Sequence, residues 1–420
     1  MIKEIISQYL VNTGLLEIKT CHLSPRLNRQ ISEWERTKKK AFADVIAEAI
    51  TGEITHPQHA GYSIGRDYKV KMLKRVTVDG SKLMAFDFYN DLLQSPLYKR
   101  ADGIQGVYSA CYDFSPKFLN DLDQHFAFNR NYNFLDLPQQ AIPTVYDEMT
   151  YMKPNTAAIE SAVSDTGNGL DIRERLYIWA IGEAAKQSGG VLYQYYNESR
   201  SGRLYTKGAF GLQSLSKAMR EIVLDGYTCF DMNTAAYSIL LSKVNNPSKY
   251  PTIKAYTEDR TKYRNQIAKD TGADIDDVKT CITALGLGSS ISVSNNPVHT
   301  TKVDAPDWAI KKIKAHKFTQ AFISELTKLR TEITDNCCNQ RELDLLDAVK
   351  QDKIRDFYNK NGRYPRSVNY RGKFVSLYYQ YYEMEALKAM RSITENKDDC
   401  LLLHDGLYTK TKKALMILRT

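Results

Sequence analysis

The chain has 420 residues, enough at about 150 residues per domain for two or three domains with real cores, which excludes a small stapled scaffold. Apolar residues make up 43% and charged residues 25%, a globular balance that excludes a disordered chain. Lysine and arginine outnumber aspartate and glutamate, 58 against 49, which suits a polyanionic partner and equally an ordinary basic enzyme. The seven cysteines contain no CxxC pair, which argues against a disulfide framework or a zinc knuckle. No run approaches the length of a membrane span and the amino terminus lacks signal-peptide character, so a cytosolic protein off the membrane is expected.

In chain order, residues 33–50 carry the clearest helical periodicity of the first 125, and 68–78 with 82–89 read as a strand pair turned at Asp79-Gly80-Ser81. Residues 129–154 are aromatic, rich in asparagine and broken by Pro138, Pro143 and Pro154, as in a connection or a groove-lining loop. Residues 170–186 are helical up to Ser188-Gly189-Gly190, and 191–196 then alternate as a strand. A helix at 212–223, a short strand at 227–231 and a helix at 234–244 follow. Further helices are expected at 257–269, at 275–287 behind an Asp274 cap, and at 307–329 after Pro306. A basic, aromatic loop at 361–373 (Arg363, Tyr364, Arg366, Tyr370, Arg371, Lys373) leads into a helix from 374 to about 393. Residues 401–409 form an apolar run around an acidic tip, a hairpin pattern. The 28 tyrosines concentrate in 193–205 and 378–382, and their stacking face with a polar tip suits core edges and nucleic-acid grooves alike.

Two acidic positions stand where chemistry can be done. Asp405 tips the closing hairpin, and Asp231 ends the segment Tyr227-Thr228-Cys229-Phe230 ahead of an amphipathic helix. Locally two readings stand, because Asp-Gly is a common hairpin turn while a carboxylate at a strand end is also where an exposed metal ligand sits. On one antiparallel sheet the two could share a pair of magnesium ions about 3.5–4 Å apart, the arrangement of in-line phosphoryl transfer. His56 and His59 lack nearby cysteine or carboxylate partners, which argues against zinc, and Lys311, Lys312, Lys314 and Lys317 make a basic stripe that reads as a solvated helix face or a DNA-backbone contact.

Ser199-Arg200-Ser201-Gly202-Arg203-Leu204-Tyr205, followed by Phe210 and Gln213, resembles the [T/D]xxGR segment of the single-subunit RNA polymerases of phages and mitochondria. His404-Asp405-Gly406-Leu407-Tyr408-Thr409 is similar to their HDSxxT motif, and Lys279 with Leu287 and Gly288 to their fingers-helix pattern Kx7YG. With Asp231 heading the first catalytic motif, the landmarks stand in family order. The A-family DNA polymerases share this superfamily; the spacing from Arg203 to Gln213 and the HDG ending favour the RNA polymerase branch. Leu287 stands where the family has a ribose-selecting tyrosine and Ile275 where it has an arginine, leaving Arg260, Arg264 or Lys269 as substitutes. The helix 374–393 offers tyrosines where the family has a histidine.

The resemblance implies an α+β right-hand polymerase with palm, fingers and reduced thumb. Residues 1–125 would form an amino-terminal domain, 126–190 a connection and thumb, 191–249 the first part of the palm, 250–395 the fingers and 396–420 the closing palm hairpin. One antiparallel palm sheet would join the strands near 191–203, 227–231 and 401–408. It implies DNA-directed RNA synthesis from a DNA template and ribonucleoside triphosphates, with RNA as product and two Mg2+ ions held by Asp231 and Asp405. Lys279 would meet the triphosphate, Tyr237, Leu287 and Arg264 would line the nucleotide, and Gly202, Arg203, Tyr205, Gly288 and His404 would contact the hybrid. The short stretch ahead of the first motif resembles the small heterodimeric phage enzymes, implying a second polymerase subunit, a single-stranded-DNA-binding factor and the cytoplasm of an infected host cell. An A-family-like DNA polymerase or primase-polymerase, and a non-catalytic nucleic-acid-binding subunit, are the alternative readings.

Overall fold

The computed structural model describes residues 2–12, 15–16, 39–55, 75–78, 81–84, 98–100, 112–128, 142–207, 211–232, 234–289, 291, 303 and 305–410. It is a mixed α+β structure of helices with small antiparallel sheets, in two units. One unit holds the described residues within Met1–Asn197, Thr206–Thr228 and Asp398–Leu401; the other holds those within Glu198–Tyr205, Cys229–Lys397 and Leu402–Thr420.

The first unit opens with α1 (Ile2–Asn12), which packs along α2 (Lys39–Thr55). β1 (Arg75–Val78) pairs with β2 (Ser81–Met84), Val78 opposite Ser81, which is the hairpin expected around Asp79-Gly80. The outer parts of those expected strands, 68–74 and 85–89, lie outside the described residues, as do 33–38 and 129–141. β3 (Tyr98–Arg100) pairs with β4 (Tyr112–Phe114), and α3 (Pro116–Phe128), β5 (Glu148–Met152), α4 (Thr156–Ser164) and α5 (Ile172–Gln187) follow. A capping box starts α5: the Asp171 side chain accepts from the Glu174 backbone while Glu174 reaches back. Buried α5 carries Trp179 against Tyr9 and Phe126, and the three rings meet edge to face at 5.3–5.6 Å. β6 (Leu192–Glu198) pairs antiparallel with β5, and β7 (Leu204–Lys207) completes the order β5-β6-β7. α6 (Lys217–Val223) starts at a Ser216 cap; residues 212–214 ahead of it are a 3-10 turn, not the first turn of a longer helix.

The second unit is built on helices: α7 (Ala235–Ser242), α8 (Pro251–Glu258), α9 (Arg260–Thr271), α10 (Ile275–Gly286), α11 (Asp307–Ala315), α12 (Lys317–Asp335), α13 (Gln340–Asn361) and α14 (Arg371–Ser392). β8 (Thr228–Asp231) precedes them and β10 (Gly406–Thr409) follows them; β9 (Cys400–Leu402), whose Cys400 and Leu401 are counted with the first unit, completes the strand order β8-β10-β9. Tyr237, Tyr256 and Phe322 sit at the centre of the helical core, their rings 5.1–5.7 Å apart. Asp274 caps α10 as expected.

Three further expectations are corrected. The strands near 191–203, 227–231 and 401–408 divide between two sheets instead of sharing one, because β6 takes β5 and β7 as its neighbours. The helices expected at 257–269 and 307–329 are each broken, at Asp259, whose side chain caps α9 by accepting from Lys262, and at His316. Helix α13 was not expected: it buries only Glu342, Leu345 and Val349 on one face, too thin a stripe to read as a period in a charged sequence.

The approach of β8 to β10 sets the geometry of this second sheet. A Cβ on Gly406 would lie 2.8 Å from the Phe230 carbonyl oxygen and 3.5 Å from the Asp231 Cα, so a side chain has no room there. Gly406→Ser is expected to force the strands apart and lower stability by about 1–3 kcal/mol, the usual cost of overpacking, read by denaturant unfolding against wild type.

Candidate functional site

The residues expected in the catalytic, nucleotide-binding and hybrid-binding roles lie within the second unit. Asp231 ends β8 and Asp405 occupies the turn before β10; the Met232 N–H donates to the Asp405 carbonyl at 2.8 Å, so the two residues are neighbours across the strand pair. Both are exposed. A hairpin turn at Asp405-Gly406 is therefore realised, and it brings the backbone of Asp405 beside the end of β8.

The SRSGR segment forms the tip of the β6–β7 hairpin. The Gly202 N–H closes a turn on the Ser199 carbonyl at 2.9 Å, the Ser199 N–H donates to the Arg203 carbonyl at 2.8 Å, and Gly202 takes φ +84°. A left-handed residue after a turn is the hairpin solution that wants glycine, which accounts for Gly202 without a ligand. Helix α14 holds this tip through two side chains: Ser201 donates to the Gln380 side chain at 2.8 Å, and the Arg203 Nε donates to the Glu383 carboxylate at 2.8 Å. A second Arg203 nitrogen reaches the same carboxylate and the Tyr379 hydroxyl, the latter at 3.2 Å. Tyr379 and Glu383 stand four apart on α14 and so share one face. The ion pair is buried, with the Arg203 side chain 14% and the Glu383 side chain 3% exposed.

The field at this place is negative. Burial raises the Glu383 carboxyl most; Arg203 pulls it back, and the nearby Asp405 and Asp231 push it up again, leaving it at about 7. His404, next to Asp405 in sequence, is pushed down to about 4 by burial and by Arg203, so its ring is neutral at pH 7. Its Nδ1 is buried with no hydrogen-bond partner among the described residues, and its ring lies 4.8 Å from that of exposed Tyr205.

The remaining positions are spread over the helices. Lys279 is exposed on α10. Arg264 on α9 donates to the Tyr256 hydroxyl at 2.7 Å. Leu287 caps α10 and is 39% exposed; Gly288 follows in the left-handed region, the usual helix C-terminus, and its backbone meets Gly372 so closely that a Cβ would lie 1.9 Å from the Gly372 carbonyl oxygen. Tyr237 is buried, its hydroxyl donating to the Ile282 carbonyl, so it is a core residue of α7 instead of a group presented to solvent. His56, His59 and Phe210 lie outside the described residues. Glu383, Tyr379 and Gln380 were missed from the sequence; a carboxylate closing a run of tyrosines on an apolar helix was the signal available.

Among the described residues no group of three or more His, Cys, Asp or Glu could hold a metal. Two adjacent exposed carboxylates nevertheless match what magnesium asks of a protein: one or two hard oxygen ligands, with water and substrate phosphate completing the shell. Compared with protein-family models, curated proteins and solved structures, the chain matches none.

Glu383 and His404 contribute opposite pH dependences. A carboxyl raised from 4.5 to about 7 favours the folded state at low pH and loses that contribution as pH rises through 7; an imidazole lowered from 6.5 to about 4 loses stability as pH falls through that range. Unfolding free energy measured from pH 4 to 8 is therefore expected to rise more steeply with pH in Glu383→Gln than in wild type, and less steeply in His404→Asn. Parallel curves would contradict the assignment.

Proposed function

We propose that the chain is a template-directed nucleotidyltransferase of the right-hand type, most directly a DNA-dependent RNA polymerase resembling the small phage enzymes, acting in the cytoplasm of an infected cell. The observation that carries this reading is the placing of Asp231 and Asp405 side by side at the end of β8 and the start of β10, in the unit that also holds the SRSGR tip and Lys279. Helices α8 to α14 would then be the fingers, and β8, α7, β9 and β10 part of the palm that presents the carboxylates.

In this reading Asp231 and Asp405 bind two Mg2+ ions, which would lower the pKa of a primer 3′-hydroxyl and neutralise charge on the triphosphate. Lys279, exposed on its helix, offers a point charge to the triphosphate. Arg203 spends two of its nitrogens on Glu383 and Tyr379, so its first task is to fix the hairpin tip beside the carboxylates. His404 stays neutral and adds no positive charge to compete with bound cations. A DNA template, an RNA product, a second subunit and a single-stranded-DNA-binding factor are the partners this reading requires.

One observation favours keeping deoxyribonucleotides as the second reading. Leu287 carries no hydroxyl, and the hydroxyl of Tyr237 is engaged on the Ile282 carbonyl, so neither presents the polar group with which the resembled family selects ribose.

Extension of an RNA primer on a DNA template with Mg2+, run in parallel with ribonucleotides and deoxyribonucleotides, tests the proposal. Ribonucleotide extension is expected, falling to background in Asp405→Asn. Preference for deoxyribonucleotides would replace it with the DNA polymerase reading, and extension unchanged in Asp405→Asn would overturn the site.

A further inference from the structure

A second surface of the same unit, built at the end of α13, has a chemistry of its own. Gly362 ends α13 in the left-handed region, its N–H donating to the Tyr358 carbonyl at 2.7 Å, and so turns the chain back over the last turn of the helix. Pro365 then disfavours a helical conformation for the preceding residue, Tyr364. The result is a pair of surface rings: Tyr364 lies 4.7 Å from Tyr358 with 32° between the planes. Tyr358 is 42% exposed, and Tyr364 remains 75% exposed although one face is turned to its neighbour.

Past Asp356, which ends the acidic part of α13, the charge of the segment that follows has one sign. From Phe357 to Tyr382 the sequence contains no aspartate or glutamate, while Lys360, Arg363, Arg366, Arg371 and Lys373 fall within it. All five are exposed. Arg371 has Asp335 at 3.9 Å; the other four have no carboxylate within ion-pair distance among the described residues. An uncompensated cluster of cations is costly to gather unless a polyanion neutralises it. Two tyrosines with open faces add what a purely electrostatic contact does not need, a sequence-tolerant stacking surface for unpaired bases. A protein with an acidic surface would match the charge but would leave the exposed rings without a reason.

We propose that Tyr358 and Tyr364, with Lys360, Arg363 and Arg366, form a binding platform for single-stranded nucleic acid, one or two bases stacking on the Tyr364 ring while the cations follow the phosphates. The platform lies outside the carboxylate site and does not depend on the polymerase reading. A duplex keeps its bases stacked inside and gains only the charge contact, so the platform discriminates single strands from double.

The test uses a fluorescent twelve-residue oligothymidylate, the full chain, and EDTA to keep the metal site out of play. Anisotropy titrations are expected to show affinity falling steeply with salt, about tenfold weaker binding in Tyr364→Ala, and a shallower salt slope in an Arg363→Gln/Arg366→Gln double variant. Substituting 5-iodouracil into the oligonucleotide and irradiating is expected to give adducts at Tyr358 or Tyr364. Circular dichroism of each variant separates lost binding from lost fold. Wild-type affinity in Tyr364→Ala, adducts confined to other parts of the chain, tighter binding of a duplex of equal length, or equal competition by polyglutamate would each overturn the platform. Because no nucleotide or metal is present, failure here leaves the extension assay unaffected, and failure of extension leaves this result standing.

Discussion

The close backbone approach of β8 to β10 is the constraint on which the candidate site rests. β8 and β10 come so close that Gly406 has no room for a side chain, and this closeness seats Asp231 against Asp405. Like charges at such range are tolerated when solvent or a cation screens them, and both residues are exposed. Close by, burial raises the Glu383 carboxyl most, and against the pull of Arg203 the two aspartates add to that rise, leaving it at about 7. Arg203 supplies the compensating charge, and in doing so ties the β6–β7 tip to α14.

This chain of contacts gives each residue a physical task before any ligand is considered. Glu383 fixes Arg203; Arg203 holds the hairpin tip and, with burial, keeps His404 neutral; the strand pair presents the carboxylates outward. A buried pair such as Arg203–Glu383 is weak as a source of stability, because desolvation offsets most of its attraction, but breaking it leaves a lone buried charge. Its value here is positional: it fixes Arg203, and with it the β6–β7 tip, on α14.

Much of this was legible in the sequence because it rests on local chemistry. The Asp274 cap, the β1–β2 hairpin and the hairpin with Asp405 at its turn all follow from residues acting on their neighbours. What was not legible depends on partners distant in sequence. Nothing near β6 announces that it would pair with β5 and β7 and leave β8 to β10. The Arg203–Glu383 pair joins positions 180 apart, and Tyr237, which reads as a candidate ligand from its place after Asp231, is drawn into the core by Tyr256 and Phe322. Helix α13 was hidden for a different reason, since a helix burying three side chains shows almost no apolar period.

The central claim is that Asp231 and Asp405 hold divalent cations together. Ferrous iron admitted in place of magnesium, with ascorbate and peroxide, cuts the backbone next to wherever the metal sits. Cleavage is predicted beside both Asp231 and Asp405, suppressed by excess Mg2+ and lost at both places in Asp405→Asn. Cleavage elsewhere in the chain, or a pattern that the substitution leaves unchanged, would contradict the shared site and with it the proposed chemistry.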